Sequence, residues 1–571
     1  MKRRISESAM SADGADLGPG PESEKPCVQV PVPVCGAGPE QLEDSERSPS
    51  SSLSDGTSRF EPGPRSFLEL YQWPERLLLT LARGEAADDL FQQLGKCRAI
   101  LLTTSFSGVG SAEVAASILA QHVESSGLWK PGSMSVYSAC EIDSRCQQVL
   151  MSHVGTCEPR HLFKDIMEVL PFEVEKQMSE FLERLRRESR SQNFDVRALR
   201  DEAVQNLSER FHRYIERLLP GVAMHGHGFC MKHMRSCALA PNKEEREGKL
   251  WVEVAGRVYG NQENFLHDTA KTLVAWVAKV RAFLPDVAIH ECVPGFPAEV
   301  LSRYLNAGFP ESKPLYEVAS VAWDVLHEGI PIHRARRYTV CVLAKHGRPS
   351  LHLEEVWDRL VFRNRLIGCD VFLRAPAADI DALNQDMASR RQLPAKRINS
   401  RGQARNWAWE VFLTANQRTV LSKAHEAAQA LEMDWLRECP DGMPISDAGQ
   451  PYFQWLVNLA QSSAYQPAVR PMHESYMNTL LRSSRLFVDC FDRRHSRPVH
   501  PFEEFLMQGH PVYLPAGHHI LQACNMEKVL RSALSKGLPL KDLYSMAGNG
   551  MHINAVGELL LFVLSLYEWQ R

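Results

Sequence analysis

The sequence lacks the features of secreted and membrane-spanning proteins. Its first thirty residues have a basic start but no apolar signal-peptide core, and no run of about eighteen apolar residues follows. The 14 cysteines include no Cys-x-x-Cys pair and no close, even spacing, which disfavours a disulfide framework. We therefore predict a nuclear or other intracellular protein that is not secreted, and Lys2-Arg3-Arg4 is compatible with nuclear import.

An excess of charge of one sign is also lacking. Lys and Arg number 65 against 69 Asp and Glu, a formal charge of -4, so nucleic-acid binding would require a local basic patch. Of the 571 residues, 44% are hydrophobic and 23% are charged, which is typical of soluble globular chains. This composition excludes a small stapled scaffold and a wholly disordered chain, and the length suits two or three domains.

The amino-acid composition of the chain changes after its first 65 residues. Residues 1–65 are rich in Ser, Pro, Gly, Asp and Glu, which predicts a disordered tail. An amphipathic helical stretch then leads to an apolar strand at 99–105, a glycine turn and a helix, and a second strand ends at Cys140. This alternation predicts an α/β fold with a parallel, doubly wound sheet, whose ligands bind at the carboxyl ends of the strands.

A long charged segment interrupts this alternation. Near residues 170–220, apolar residues recur at helical spacing among Glu, Arg and Lys, which predicts a solvated helical insertion. Strand and helix patterns return at 250–255, 269–283 and 286–290. The sheet is therefore predicted to continue after the insertion.

Three features near the predicted strand ends are suited to a nucleotide-like ligand. The turn Phe106-Ser-Gly108-Val-Gly110 lets the backbone approach a ligand, and the following helix offers free N-H groups. Glu141 ends the second strand, where an acid accepts hydrogen bonds from ribose hydroxyls. Asp165 could accept from an adenine amino group. Each acid alone would more often be a surface or capping residue, but the ordered set favours a binding site.

The chain resembles the DNA cytosine-5 methyltransferase family from Phe106 to Val556. The glycine turn, Glu141 and Asp165-Ile match the family's first three motifs, and His290-Glu-Cys-Val is similar to its Glu-Asn-Val segment. Later matches follow in family order, and they are Gly329-Ile-Pro-Ile-His-Arg334-Ala-Arg336, Arg497-Pro-Val-His-Pro-Phe-Glu503 continuing to Gln508-Gly509, and Ala547-Gly548-Asn549. The resemblance implies a Rossmann-like, S-adenosylmethionine-dependent methyltransferase sheet with a smaller lobe.

The resemblance also implies the cofactor, the substrate and the domains. S-adenosylmethionine would be bound by Phe106, Gly108, Gly110, Glu141, Asp165 and Asn549. The substrate would be DNA, with RNA as the alternative, methylated at carbon 5 of cytosine. The expected domains are a catalytic domain at 66–345 and a target-recognition lobe at 346–496. Closing motifs at 497–571 are expected to return to the catalytic domain.

The family mechanism assigns roles to three residues and requires a fourth that is missing. Glu291 would stabilise the cytosine ring after a thiolate adds to carbon 6, while Arg334 and Arg336 would hold the base and its surroundings. The family's nucleophile loop corresponds to residues 254–264, which contain no Cys, and Tyr259 stands about where the thiol belongs. A phenol ionises far less readily than a thiol.

Other departures leave two interpretations open. Ile332 replaces the Gln of the arginine motif, Cys292 replaces the Asn after Glu291, and neither Cys230 nor Cys292 is favoured as a substitute nucleophile. The first interpretation is a methyltransferase whose turnover is doubtful. The alternative is an inactive protein that binds the cofactor or nucleic acid as a scaffold or regulator.

Two further clusters have competing interpretations. The stretch His225-x-His227-x-x-Cys230-x-x-His233-x-x-x-Cys237 has donors for zinc but no standard finger spacing, so we predict no metal site there. A basic stretch in the recognition region offers a nucleic-acid surface or a solvated charge run. Its members are Arg390, Arg391, Lys396, Arg397, Arg401 and Arg405, followed by Trp407 and Trp409.

Overall fold

A computed structural model describes most of the chain beyond the predicted tail. It covers residues 61–83, 87–97, 99–170, 172–191, 197–226, 241–256, 269–349, 363–438, 454–461, 469–472, 475–490 and 496–569, with Leu353, Trp357 and Val361 as single residues. Residues 58–571 belong to one compact unit. The predicted tail lies almost entirely outside the described residues, and no described helix is long and apolar enough to cross a bilayer.

The strands belong to one large sheet and several small ones. They are β1 (Glu61–Pro62), β2 (Ile100–Ser105), β3 (Met134–Cys140), β4 (His161–Phe163), β5 (Leu250–Ala255), β6 (Val287–Cys292), β7 (Tyr316–Asp324), β8 (Ala335–Leu343), β9 (Gly347–Pro349), β10 (Arg363–Asn364), β11 (Arg397–Ile398), β12 (Ala404–Arg405), β13 (Gln454–Asn458), β14 (Leu486–Cys490), β15 (Arg497–Pro498) and β16 (Tyr567–Trp569). The four predicted strands of the large sheet appear as β2, β3, β5 and β6.

The large sheet has seven strands in the order β4-β3-β2-β5-β6-β8-β7. β2, β5 and β6 are buried along their whole length, as expected of strands covered on both faces, although each includes polar residues. The five strands from β4 to β6 pair in parallel, but β8 runs antiparallel to both β6 and β7. The predicted parallel sheet is therefore found as a mixed one, whose last two strands are antiparallel neighbours because the β7–β8 connection is too short for a crossover.

The helices lie around this sheet and beyond it. They are α1 (Trp73–Ala82), α2 (Ala87–Lys96), α3 (Ser111–Ser125), α4 (Ser144–Leu150), α5 (Phe172–Ser191), α6 (Arg197–Gly226), α7 (Lys243–Arg246), α8 (Thr269–Phe283), α9 (Ala298–Leu305), α10 (Ala377–Arg390), α11 (Ala415–Glu438), α12 (Pro501–Met507), α13 (Ile520–Ala523), α14 (Met526–Ser535), α15 (Leu540–Asn549) and α16 (Ile553–Leu566). The last helix, α16, packs against α3.

The charged insertion forms α5 and α6, but it is not simply solvated. Met178, Leu182 and Leu185, spaced at i, i+4 and i+7, are fully buried in a core that also contains residues of α8 and α9. Their periodic spacing places them on one face of α5. The insertion therefore contributes a packed layer, and its charged residues occupy the opposite face.

The closing segment is held by an ion pair between the partly buried Arg497 and the fully buried Glu503. Arg497 donates to both carboxylate oxygens of Glu503, at 2.7 and 2.8 Å, and Glu503 also accepts from the backbone N-H of His500 at 2.8 Å. These contacts cap α12 at its first turn. The Arg-Pro…Glu motif is thus explained as a structural clamp for the start of this helix.

A pair of buried acids makes stability depend on pH. Burial raises the pKa of Glu558, in α16, to about 7, and burial together with the nearby Glu558 raises the pKa of Glu328. Because the folded state holds these protons longer than the unfolded chain, their stabilisation is present below the ordinary value of 4.5 and is lost as pH rises through about 7. The folded protein should therefore become less stable across this interval.

Glu558→Gln should flatten that dependence, because an amide in the same place has no proton to lose. We expect the difference in unfolding free energy between pH of about 5 and about 8 to shrink by about 2 kcal/mol, measured by urea denaturation. Glu568→Gln, at an exposed site in β16, is the control and should keep the wild-type profile. An unaltered profile in Glu558→Gln would contradict the assignment.

Candidate functional site

The predicted site residues gather at one edge of the large sheet. Because β2 to β6 are parallel, the glycine turn after β2, Glu141 after β3 and Asp165 after β4 follow the strands at the same edge. Glu291 lies next to the last residue of β6. The carboxyl edge of such a sheet is where open α/β folds bind ligands.

The glycine turn has a backbone that only glycine adopts easily. Gly108 has φ +58° and Gly110, the N-cap of α3, has φ +92°. A Cβ on Gly108 would meet no atom within 4 Å, whereas a Cβ on Gly110 would lie 2.9 Å from Nε2 of His153. Gly108 therefore borders open space, and Gly110 permits close packing against the turn after α4. Phe106 also has a positive φ, +56°.

A buried network braces the strand that leads into this turn. The Ser105 hydroxyl donates to Glu253 at 2.6 Å, and the ammonium of Lys279 donates to Ser105 Oγ at 2.9 Å. Lys279 also pairs with Glu253 at 2.9 Å, and both side chains are almost fully buried. Separating a buried ion pair leaves an uncompensated charge and costs free energy. Because Ser105 is hydrogen-bonded to both members of the pair, the network holds the end of β2 in place.

Glu141 contacts the glycine turn directly. Its carboxylate accepts from the N-H of Gly108 at 2.8 Å and from the N-H of Asp143 at 2.9 Å. Burial raises the pKa of Glu141, and these backbone N-H groups oppose that rise. The structure thus joins Glu141 to Gly108, and each carboxylate oxygen retains a lone pair for a ligand.

Asp165 and Asn549 are placed by other contacts. Asp165 is half-buried, and its side chain accepts from the N-H of Met167 at 2.9 Å, which caps a short 3₁₀ turn. Asn549 is the exposed last residue of α15 and lines a cavity that also contacts α4 and β8. Asp165 therefore caps a short 3₁₀ turn, which is a common role for an acid at this kind of position. Its contact with a bound ligand remains a prediction.

Glu291 and Arg336 form a buried ion pair. The register places Glu291 opposite Tyr338, so β6 and β8 bring the two side chains to one face of the sheet. Arg336 Nε lies 2.9 Å from Glu291 Oε1, with the side chains 9% and 4% exposed. This pair aligns a carboxylate at the carboxyl edge and balances its charge.

Arg334 is engaged differently from Arg336. Its guanidinium donates to the backbone carbonyl of Leu480 at 3.2 Å and to that of Gly550, just after α15. The side chain is 2% exposed. Arg334 therefore ties the arginine motif to the closing segment and to the loop before β14, which is a positioning role.

A large basic cavity adjoins the ion pair. It has a volume of about 920 Å³, and Arg336 is one of its lining residues. Asp542 is its acidic lining residue, while six lining side chains are cationic: Arg145, Arg336, Arg390, Arg482, Arg485 and Lys541. These residues come from segments that are far apart in the sequence. The local sequence places only Arg482 and Arg485 close together, three residues apart.

The predicted basic stretch is divided by the structure. Arg390 lines the cavity, whereas Arg397 and Arg405 face each other across the exposed β11–β12 pair. Arg391 donates to the carbonyl of Phe412, and Trp407 to that of Pro394. Trp409 packs edge-to-face against Phe412. Apart from Arg390, the stretch thus forms either local structure or a separate exposed surface.

Most of the expected nucleophile loop, residues 257–264, lies outside the described residues. Residues 257–268, with Tyr259, and residues 227–240, with Cys230 and most of the predicted His/Cys-rich stretch, are among those not described. Cys292 is fully buried in the core that contains α8 and α9. A thiol buried in a hydrophobic core is a poor nucleophile, and the sequence analysis likewise did not favour Cys292 in that role.

Strand order identifies the architecture. Numbered along the chain from β2, the sheet runs 3-2-1-4-5-7-6, with the seventh strand antiparallel. This is the sheet topology of S-adenosylmethionine-dependent methyltransferases. The predicted α/β class is confirmed.

Comparisons with known proteins return structures of methyltransferases. No family model matches the sequence, and no curated protein matches it. The S. pombe Dnmt2 methyltransferase is 11% identical with a TM-score of 0.35, covering 81% of this chain and 98% of that one. The Entamoeba histolytica methyltransferase EhMeth is 12% identical with a TM-score of 0.35, covering 81% and 98%. A Spodoptera frugiperda DNMT2 mutant is 12% identical with a TM-score of 0.33, covering 81% and 100%.

Proposed function

We propose that this chain is a divergent, S-adenosylmethionine-binding cytosine-5 methyltransferase-like protein that acts on DNA, with RNA as the alternative. The observation that supports this most directly is the position of Arg336. It pairs with Glu291 and also lines the basic cavity. A carboxylate suited to a base ring is thus adjacent to a surface suited to phosphates.

The residues around the glycine turn fit the cofactor. Gly108 leaves open space where a side chain would project, and Glu141 is held beside it with lone pairs to spare for ribose hydroxyls. Phe106, Gly110, Asp165 and Asn549 complete the proposed contacts. When bound, S-adenosylmethionine supplies an electrophilic methyl group on a sulfonium.

Glu291 is proposed to hydrogen-bond the edge of a cytosine drawn out of its stack. The ion pair with Arg336 holds the carboxylate in one orientation and keeps the site free of an unbalanced buried charge. Arg334 is proposed to position the motif through its two backbone carbonyl contacts rather than to touch the base. Both arginines therefore support Glu291, in different ways.

A second candidate function is a binding protein that does not transfer methyl groups. The observation that favours it is the absence of Cys from residues 254–264, where the family resemblance expects the nucleophile. In this case the cofactor site and the basic cavity serve recognition, and the protein acts as a scaffold or regulator. The second candidate requires binding of the cofactor or of nucleic acid, and it differs from the first in having no turnover.

The basic cavity predicts how nucleic-acid binding depends on salt. If Arg482 and Lys541 contact phosphates, Arg482→Ala/Lys541→Ala should lower the slope of log K against log salt by about 2, because each phosphate contact releases roughly one counterion. The measurement is fluorescence anisotropy of labelled DNA and RNA over a range of salt concentrations. Both residues are exposed in the described structure.

The matched control is Arg397→Ala/Arg401→Ala, which removes two exposed charges from the β11–β12 hairpin. We expect its salt slope to equal that of the wild type. A smaller salt slope in the hairpin variant alone would indicate that nucleic acid binds at the predicted basic stretch and not in the cavity. Wild-type protein that binds neither DNA nor RNA would contradict the first candidate function and would leave the second to rest on cofactor binding alone.

A further inference from the structure

Three donor side chains meet beneath the glycine turn. His153 and Cys157 follow α4, while Cys524 follows α13 and is remote from them in sequence. One ring nitrogen of His153 and the two sulfurs all lie within 4.8 Å of one another. The three residues are 2%, 1% and 6% exposed. The fold therefore assembles a compact, buried set of one imidazole and two thiols.

The hydrogen bonding of His153 leaves one nitrogen free. Its Nε2 lies 2.9 Å from the carbonyl oxygen of Val109, within the glycine turn, so Nε2 carries the proton and donates. Nδ1 then has a lone pair, and it is buried with no hydrogen-bond partner among the described residues. Histidines that bind metals commonly donate their other ring N-H to a carbonyl in this way.

The two thiols lie side by side, with their sulfur atoms within 4.8 Å of each other. Cys157 Sγ also has two long contacts, 3.8 Å from the carbonyl of Glu113 and 3.7 Å from that of Ala523. Two negatively charged sulfurs buried without a counter-charge would cost free energy, and a divalent cation would balance them.

A buried carboxylate lies in the same region, outside the set of donors that are within 4.8 Å of one another. Glu113, in α3, is fully buried, and within the described part of the chain its Oε2 has no hydrogen-bond partner, while Oε1 accepts from Thr104 at 2.6 Å. The carboxylate interacts electrostatically with both His153 and Cys157. Three protein donors and a carboxylate or a water make the four-coordinate set that zinc prefers.

We propose that His153, Cys157 and Cys524 form a structural zinc site, which joins the turn after α4 to the segment between α13 and α14. Imidazole and thiolate donors favour Zn²⁺ over Ca²⁺ or Mg²⁺, which take oxygen ligands. Because His153 also holds Val109, the bound ion would stiffen the glycine turn from behind. The site is independent of nucleic-acid binding and of methyl transfer.

The test uses the full-length chain, stripped of metal under reducing conditions and titrated with Co²⁺ as a spectroscopic probe. We expect thiolate-to-cobalt charge transfer and tetrahedral ligand-field bands that saturate and are displaced by Zn²⁺. Cys157→Ser and Cys524→Ser should each lose most of the charge-transfer intensity at this site. Cys146→Ser, a buried thiol in α4 outside the cluster, should retain it.

A second pair of controls separates this site from the His/Cys-rich stretch. Cys230→Ser/Cys237→Ser should leave the bands unchanged. Should the Ser variants fail to fold, X-ray absorption of zinc bound to the wild type provides the answer, with two sulfur and two nitrogen or oxygen neighbours expected. Absence of binding, bands that persist in both Cys157→Ser and Cys524→Ser, or a Cys157–Cys524 disulfide in the purified protein would overturn the proposal.

Discussion

Gly108→Val is expected to abolish binding of S-adenosylmethionine. Valine would project its side chain into the open space beside the glycine turn, where no protein atom lies within 4 Å of the Cβ position. The cofactor is proposed to fill that space, so we expect its affinity to fall by at least about 100-fold, or about 2.8 kcal/mol. Isothermal titration calorimetry with the cofactor and with its demethylated product measures the loss.

The backbone provides a matched control for this variant. Gly127, in the exposed turn after α3, also has a positive φ, +78°, and a Cβ there also meets nothing within 4 Å. Gly127→Val therefore carries the same left-handed strain, about 1–2 kcal/mol, without entering the proposed site. Equal melting temperatures with binding lost only in Gly108→Val would support the cofactor site. Undiminished binding in Gly108→Val, or no binding by the wild type at millimolar cofactor, would contradict it.

Wild-type protein is expected to transfer methyl groups to cytosine poorly or not at all. Residues 254–264 contain no Cys, so the loop expected to provide the nucleophile offers no thiolate to add to carbon 6 of the cytosine ring. Loss of a covalent nucleophile costs roughly 10⁴ to 10⁶ in rate in triad enzymes, and we expect an effect of that order here. The measurements are radiolabelled methyl transfer to DNA and RNA, and trapping on 5-fluorocytosine DNA.

Two variants make this prediction decisive. Tyr259→Cys restores a thiol at the position where the family resemblance expects one, and an adduct in this variant alone would show that the rest of the site is competent. Robust transfer by the wild type that disappears in Glu291→Gln would instead refute the inactive interpretation. Cys230→Ala would then be tested first as the source of the thiol. Because Glu291→Gln breaks a buried ion pair, its melting temperature must be compared with the wild type.

Much of the candidate site could be predicted because its residues lie in local motifs. The positive φ values at Gly108 and Gly110 explain why glycines occupy the turn, and Glu141 reaches that turn because it ends the neighbouring parallel strand. The functional difference between Arg334 and Arg336 could not be predicted. They are two residues apart in one motif, but Arg334 precedes β8 whereas Arg336 lies within it. Arg334 therefore reaches backbone carbonyls of Leu480 and Gly550, while Arg336 pairs with Glu291 on the neighbouring strand β6.

The sequence by itself determined the α/β class, the glycine turn, the order of the acids and the absence of a Cys in the expected loop, because each is a local pattern of residue type and spacing. Only the tertiary structure decided the antiparallel place of β8, the basic cavity and the cluster of His153, Cys157 and Cys524. Those features join side chains that are remote in the sequence. Such contacts are set by how the packed helices and strands close on one another, and no local periodicity records them.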